Sequence, residues 1–408
     1  MSTILYYPNT NCKVGCLYCF NSPSQPCIEY DQQKMFDTAT NLNANEPRNQ
    51  MLLHGGEPML LPIEDFRNFM ENLSKYREEK RPGHIHSGSK RGPGLMTSLA
   101  YLSQEHIDII KKYKVDIGVS LDGPPEFNIL RGPRDPKRNK VFQQTVLNNI
   151  DLLKKNKLKF GYITVMTAAN ASPDKIDKLI EWGVKKKISG RFNPMFVPWH
   201  EREREIKKYE LTVDEVKNAF LKLAEATFEY PEFRFAQAHE FRGNLLGQPL
   251  APCIVSRCDY LTTRCKAILA DGSIARCDRC FQDGYYLASI DEPTMVRSEI
   301  LRVTDCKGCR YFEICGGGCP GEPIDNDIRR KTRYCKAYYA LYEYVEKRLR
   351  VFPDIILTTD VENYHAGYVQ KHRPFEWWYN MFRKPGQKRF NPRSKTKTKT
   401  KEQKCFRN

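Results

Sequence analysis

Cysteine is missing from residues 28 to 252, although the chain has 15 cysteines in 408 residues. So long a gap excludes even background usage and points to clusters with a purpose. Long apolar runs are missing too. None approaches the roughly 20 residues that a membrane-spanning helix needs, which excludes such a span. The opening MSTILYYPNT lacks both a basic n-region and an extended apolar h-region. A secretory signal is therefore not expected, and a cytoplasmic, thiol-reducing location follows. There is no internal repeat, which excludes solenoids and propellers. There is also no RRM or KH signature, which removes the usual RNA-binding modules.

Acidic residues are in short supply: 49 against 66 Lys and Arg, a formal net charge of +17. The excess is uneven. Residues 383–408 carry eleven Lys or Arg against Glu402, leaving +7 on the rest of the chain. The stretch SKTKTKTK at 394–401 is nearly free of apolar residues, so residues 385–408 are expected to be a disordered basic tail. Such a tail solubilises, or it touches nucleic acid or an acidic partner.

What is present is a β–α alternation. Ile4–Tyr7 and Met51–Leu53 read as strands, followed by a helix over 63–76. A helix over 104–113 precedes the run VDIGVSLDG at 115–123, and a helix over 140–155 precedes FGYITVMT at 160–167. Ser172 precedes the helical DKIDKLIEWG, and GRFNPMFV follows at 190–197. The pattern argues an α/β fold with a parallel sheet and crossover helices, as a barrel or an open sheet. Thr212 and Glu215 form a capping box that opens a helix running to about Tyr230. Beyond about 231, glycine and cysteine become dense and helical periodicity fades until 335–349, so metal is expected to replace a core there. The expected divisions are 1–230, a cysteine-rich domain over 231–350, an aromatic extension over 351–384 and the tail.

Cys12, Cys16 and Cys19 stand as C-x3-C-x2-C in NCKVGCLYCF, directly after the first strand. A closed zinc site wants four ligands, and a disulfide framework wants pairs. Three neighbouring thiols instead suit an iron–sulfur cluster with one iron left open. HGGEP at 54–58 follows the second strand. Gly55 and Gly56 allow close approach to a ligand, and Glu57 offers a carboxylate to an ammonium group. Alone this stretch would be an ordinary turn. In parallel β/α proteins, however, ligands bind at the carboxyl ends of strands, where both stretches lie.

The combination resembles the radical S-adenosylmethionine (radical SAM) enzymes, whose cluster motif is C-x3-C-x2-C and whose methionine-binding motif is GGEP. The resemblance implies a partial (β/α)6 TIM-like barrel. It implies that Cys12, Cys16 and Cys19 hold a [4Fe–4S] cluster whose open iron binds S-adenosylmethionine, with Gly55, Gly56, Glu57 and Pro58 receiving the methionine end. Tyr18 matches the aromatic near the adenine. Ser120 and Arg131, in SLDGPPEFNILRG, match contacts to ribose and carboxylate in sulfatase-maturating members. For Ser120 and Asp122 the plain alternative is a strand-ending turn. HSGSKRGPGLMTSL at 86–99 stands where the family has a TNG-type stretch.

Residues 306–319, CKGCRYFEICGGGC, are followed by Cys335 and preceded by the Gly272/Cys277 pair in ADGSIARC. This set resembles the SPASM domain, which carries auxiliary clusters in radical peptide-modifying enzymes. The resemblance implies that Cys306, Cys309, Cys315 and Cys335 hold one auxiliary [4Fe–4S] cluster. Cys277 and Cys319 would join two of Cys253, Cys258 and Cys265 around another, with Cys258 favoured beside either neighbour. Cys280 is a spare ligand or a structural thiol; Cys27 and Cys405 read as free thiols. Asp278 matches a proton-accepting aspartate of sulfatase-maturating enzymes, or it caps a turn or pairs with Arg276 or Arg279.

The expectation is an enzyme that generates a 5′-deoxyadenosyl radical and oxidises a peptide or protein side chain, fed by a low-potential donor such as ferredoxin or flavodoxin. Rival readings are maturation of a metalloenzyme cofactor, radical modification of RNA through the basic tail, and a zinc-stabilised nucleic-acid-binding or scaffold protein.

Overall fold

A computed structural model describes residues 2–8, 12–19, 29–43, 49–79, 92–197, 203–246, 265–275, 293–327 and 329–351. Its strands are β1 (Ser2–Tyr7), β2 (Asn49–Leu53), β3 (Gly94–Thr97), β4 (Asp116–Ser120), β5 (Phe160–Met166), β6 (Ser189–Pro194), β7 (Arg234–Phe235), β8 (Cys265–Leu269) and β9 (Ile274–Ala275). They form one sheet in the order β7-β6-β5-β4-β3-β2-β1-β8-β9. Every neighbouring pair is parallel except the β8–β9 hairpin.

The first six strands follow chain order because a helix crosses between each pair. These are α1 (Gln32–Asn43), α2 (Ile63–Glu79), α3 (Gln104–Tyr113), α4 (Pro136–Lys155) and α5 (Ile176–Lys185). The parallel α/β fold read from the sequence is thus present. Local chemistry starts several helices. Asp135 accepts from Arg138 N–H and Pro136 occupies the first helical position of α4, where its missing N–H costs nothing. Strand β4 alternates buried and half-buried residues, with Ile117 and Val119 packed under the helices. The alternation is what a sheet covered on one face produces.

Helices α6 (Glu203–Ile206), α7 (Val213–Glu229) and α8 (Ala236–Leu245) complete the barrel side. The Thr212/Glu215 capping box is present with both reciprocal bonds. Then come α9 (Pro293–Val303), α10 (Phe312–Cys315) and α11 (Cys335–Val351).

Two differences from the sequence reading stand out. First, β3, α1, α8 and α9 carry too weak a periodicity to be read. Helix α8 buries Gln237, Glu240, Arg242 and Asn244 beside Ala238 and Phe241, so polar and apolar residues share its buried surface. Second, the cysteine-rich region does have a core, and it is aromatic. Tyr338 stacks on Phe220 of α7 at 6.1 Å between ring centroids. Tyr342 meets Phe241 at 4.0 Å and stacks on Tyr311 at 5.1 Å. Ion pairs Arg333–Glu210 at 2.5 Å and Lys336–Asp214 at 2.6 Å complete the seam between α11 and the barrel. At the other edge β8 pairs with β1, so the sheet continues across residue 230.

Among the described residues no helix is long and apolar enough to cross a membrane. The stretches 351–384 and 385–408, apart from Val351 at the end of α11, lie outside the described residues.

Candidate active site

The loop after β1 is pinned to the ends of β4 and β5. Leu17 N–H donates to Leu130 O at 2.9 Å, and Gly15 adopts a left-handed φ of 81°. The phenol of Tyr18 donates to Asp122. Asp122 also accepts from Arg131 at 2.8 Å and from Val165 N–H at 2.9 Å. Its own N–H donates to Asn128 at 2.9 Å, and Asn170 donates to its carbonyl at 2.9 Å. One buried carboxylate therefore ties the cysteine loop, the SLDG turn, Arg131 and β5 together. Arg131 lies over the Tyr18 ring at 5.4 Å. Its buried Nε finds no partner, so the guanidinium keeps a spare donor.

Burial pushes the Cys16 thiol up to about 11, with the Arg131 charge opposing and Cys19 adding. Burial raises Cys12 further, and repulsion from Cys16, Glu57 and Cys19 adds to it. Thiols raised in this way, Cys12 and Cys16, are poor thiolates without a cation. An iron–sulfur cluster would supply that cation, and an all-thiol donor set suits iron and sulfide.

At the end of β2, Gly55 takes a φ of 122° and donates to His54 Nδ1 at 2.8 Å. His54 stacks on Tyr7 at 5.0 Å. Glu57 is 1 % exposed. One carboxylate oxygen accepts from Met59 N–H at 3.1 Å and Thr97 Oγ1 at 2.6 Å; the other accepts from Ser98 N–H at 2.8 Å and the Ser98 hydroxyl. Those four bonds use about all the lone-pair directions a carboxylate has. Glu57 was expected to meet an ammonium group. Here it turns inward and clamps β2 to β3, so the loop from Gly55 to Pro58 presents its backbone instead. Burial raises the Glu57 pKa, while these donors hold it down.

Thr97-Ser98-Leu99 ends β3, in the place of the family's TNG-type stretch. Leu99 carries a φ of 68°, a position where glycine is the easy choice. Sequence reading missed Thr97, Ser98 and Tyr101. Burial raises the Tyr101 pKa, and the charges of Cys12 and Glu57 add to it. An apolar run ending in a polar pair was the available signal. Ser120 closes β4.

In the second cluster region, Cys306, Cys309 and Cys315 lie before and within α10, and Cys335 opens α11. Cys306, Cys315 and Cys335 each feel neighbouring thiols of this set. Burial pushes Cys306 up to about 11 and Cys315 up to about 12; Cys335 and Cys309 add to both, and Cys306 adds to Cys315. Gly316, Gly317 and Gly318 all have left-handed φ values, 62°, 81° and 74°. A Cβ on Gly317 would meet Leu301 at 2.4 Å, and one on Gly318 would meet Thr332 at 2.3 Å. Buried Arg297 donates to the carbonyls of Gly316, Gly317 and Arg330 at 3.2, 3.3 and 3.0 Å. Cys319 is buried in this loop, and Cys265 sits opposite Thr3 at the start of β8. Cys27, Cys253, Cys258, Cys277, Asp278, Cys280 and Cys405 lie outside the described residues.

The family model of the radical SAM superfamily matches residues 6–183. The cysteine-type anaerobic sulfatase-maturating enzyme of Clostridium novyi (strain NT) is 23 % identical over 84 % of this chain and 94 % of its own length. The enzyme of the same description from Clostridium perfringens is 23 % identical, over 86 % and 97 %. Among solved structures, native anSMEcpe with bound AdoMet and the Cp18Cys peptide superposes with a TM-score of 0.65 at 21 % identity, covering 87 % of this chain and 99 % of that one. SuiB of Streptococcus suis bound to S-adenosylmethionine gives 0.55 at 15 % identity, over 81 % and 76 %.

Proposed function

We propose that this chain, which carries a radical SAM domain over residues 6–183, oxidatively modifies a side chain of a peptide or protein. The observation that carries the reading is the pairing of two thiol sets in one packed body. A set of three stands at the strand ends, and a set of four is docked on α7 and α8 through α11. When bound, a [4Fe–4S] cluster and S-adenosylmethionine supply a 5′-deoxyadenosyl radical; the residues around them bind and orient. Cys12, Cys16 and Cys19 would hold the cluster. The backbone from Gly55 to Pro58, shaped by the Glu57 clamp, would receive the methionine end, with Ser120 and Tyr18 toward the nucleoside. Arg131, fixed by Asp122, would aim its spare Nε–H at an anion.

Cys306, Cys309, Cys315 and Cys335 would hold an auxiliary cluster that takes an electron from the oxidised substrate. Cys319, Cys277 and two of Cys253, Cys258 and Cys265 would hold another. Asp278 would take the proton that the substrate loses. A peptide substrate agrees with what the relatives' names say those proteins handle. A cytoplasmic setting and a ferredoxin or flavodoxin donor complete the proposal, as do a core over 1–230 and an auxiliary domain over 231–350.

The test is iron and sulfide content after anaerobic purification, with 5′-deoxyadenosine assayed on adding S-adenosylmethionine and dithionite. About twelve irons per chain and dithionite-dependent 5′-deoxyadenosine are expected. Zinc without iron, and no 5′-deoxyadenosine after reconstitution, would leave a zinc-stabilised scaffold as the better account.

A further inference from the structure

The face of the barrel opposite the cysteine loop carries a pattern of its own. Helices α3, α4 and α5 end in the same way. Each turns on a lysine in the left-handed region: Lys114 at φ 53°, Lys157 at φ 57° and Lys187 at φ 55°. After each comes an apolar residue whose N–H reaches back five positions. Val115 donates to Ile110 O at 3.0 Å, Leu158 to Leu153 O at 3.0 Å and Ile188 to Gly183 O at 2.9 Å. In this helix ending the left-handed position normally belongs to glycine, because a side chain there crowds its own backbone. Lysine occupies it three times.

Two further lysines precede each of these turns: Lys111 and Lys112, Lys154 and Lys155, Lys185 and Lys186. All nine are exposed. The three turns feed directly into β4, β5 and β6, which are neighbours in the sheet, so their lysines gather on one face at strand spacings of about 4.8 Å. Lys111 donates to Asn156 at 2.7 Å, bridging the ends of α3 and α4. Opposing acids are Asp108, Asp151 and Glu181, one turn upstream, and Asp116 at the start of β4. Of the nine, Lys154 is within ion-pair distance of an acid among the described residues, at 3.6 Å from Asp151. Against the four acids the nine lysines leave this face at 9 − 4 = +5, most of the net +7 carried by residues 1–382.

Helix dipoles favour cations at C-termini, but a lysine one residue earlier would serve that purpose without a left-handed backbone. The charge is therefore held outward at a conformational cost. Its chemistry narrows the partner. The three turns carry no arginine fork. Tyr113, their one aromatic, is half-buried, with Lys112 over its ring at 4.9 Å. Nucleic-acid surfaces typically combine guanidinium forks with rings for stacking. Compact, exposed ammonium charges suit loose, salt-dependent contact with carboxylates. We propose that this lysine face docks an acidic protein surface, holding a partner away from the strand ends that carry the cysteine loop.

The test uses the full chain and two fluorescent probes, poly-L-glutamate and poly(U) of equal charge, at low and moderate salt. The variant K114E/K157E/K187E is expected to bind polyglutamate roughly ten- to a hundredfold more weakly. The tail variant K395E/K397E/K399E should lose less. K114G/K157G/K187G should melt at a higher temperature than the parent and still bind polyglutamate more weakly. Unchanged affinity in the charge-reversed face variant would overturn the proposal. So would tighter binding of poly(U) than of polyglutamate, or a lower melting temperature in the glycine variant.

Discussion

The two thiol sets use the same chemistry and are held in opposite ways. The front loop takes its shape from hydrogen bonds to a finished sheet: Tyr18 and Arg131 on Asp122, Leu17 on Leu130. The back loop takes its shape from its own backbone, through Gly308 and three consecutive left-handed glycines, with Arg297 across their carbonyls. The front offers three thiols, one short of a closed set of four. The back gains a fourth thiol from the first residue of α11, so the four come together only when that helix docks. An open set suits chemistry and a closed one suits electron storage.

Cysteine substitution gives the largest expected effects and separates the two roles. Cys16→Ser should abolish 5′-deoxyadenosine formation. Cys335→Ser should lose about four irons and the modified product while still forming 5′-deoxyadenosine. Equal loss of 5′-deoxyadenosine in both variants would break the distinction between front and back. Arg297→Met asks whether the back loop has any support besides its glycines. It leaves two buried glycine carbonyls and the half-buried Arg330 carbonyl without that donor and should cost roughly 3 kcal/mol, read by denaturant unfolding. Iron retention by the front set is expected to survive.

How much of this was legible follows from the same contrast. Both thiol sets were visible because cysteine spacing is local and a long cysteine-free gap frames it. The β–α alternation was visible because strands such as Asp116–Ser120 and helices such as Gln104–Tyr113 have clean periods. The part of Asp122 was not visible. Its partners Tyr18 and Val165 lie far off in sequence, and a strand-ending turn was the plain alternative. Glu57 was picked out but given an external partner, since nothing local shows Thr97 and Ser98 arriving from β3. Strand β3 itself is four residues with a glycine. The aromatic core of the back region was hidden because Phe220, Phe241, Tyr338 and Tyr342 come from three separate helices.

Glu57→Gln tests whether the front is as self-supporting as its hydrogen bonds imply. The amide keeps the shape but turns one acceptor into a donor facing N–H or hydroxyl groups. A loss of about 2 kcal/mol is expected, with weaker S-adenosylmethionine binding by calorimetry and unchanged iron at the back. Full stability with weaker binding would restore the carboxylate to a direct ligand role.

The smallest effect is a difference in acid tolerance. His106 caps α3: its Nδ1 accepts from Ser103 N–H at 3.2 Å, and its ring lies edge-on to Phe66 at 4.8 Å. Burial lowers its pKa below the usual value. The folded state therefore holds the neutral ring while the unfolded chain takes up a proton. That stabilisation is present above about pH 6.5 and is lost as pH falls through the folded pKa, by at most about 1.4 kcal/mol per pH unit. At the back, burial raises Asp305, but Arg330 and the Lys331 N–H outweigh it and lower its pKa. Its contribution is present above about pH 3.9 and is lost only below that. Between about pH 6.5 and 4 the barrel should thus weaken before the back region does. His106→Gln keeps a capping-box side chain and removes the titrating group. Melting curves from pH 7 to 5 should be flatter for this variant than for the parent. Parallel curves would place the acid sensitivity of the barrel in some other group.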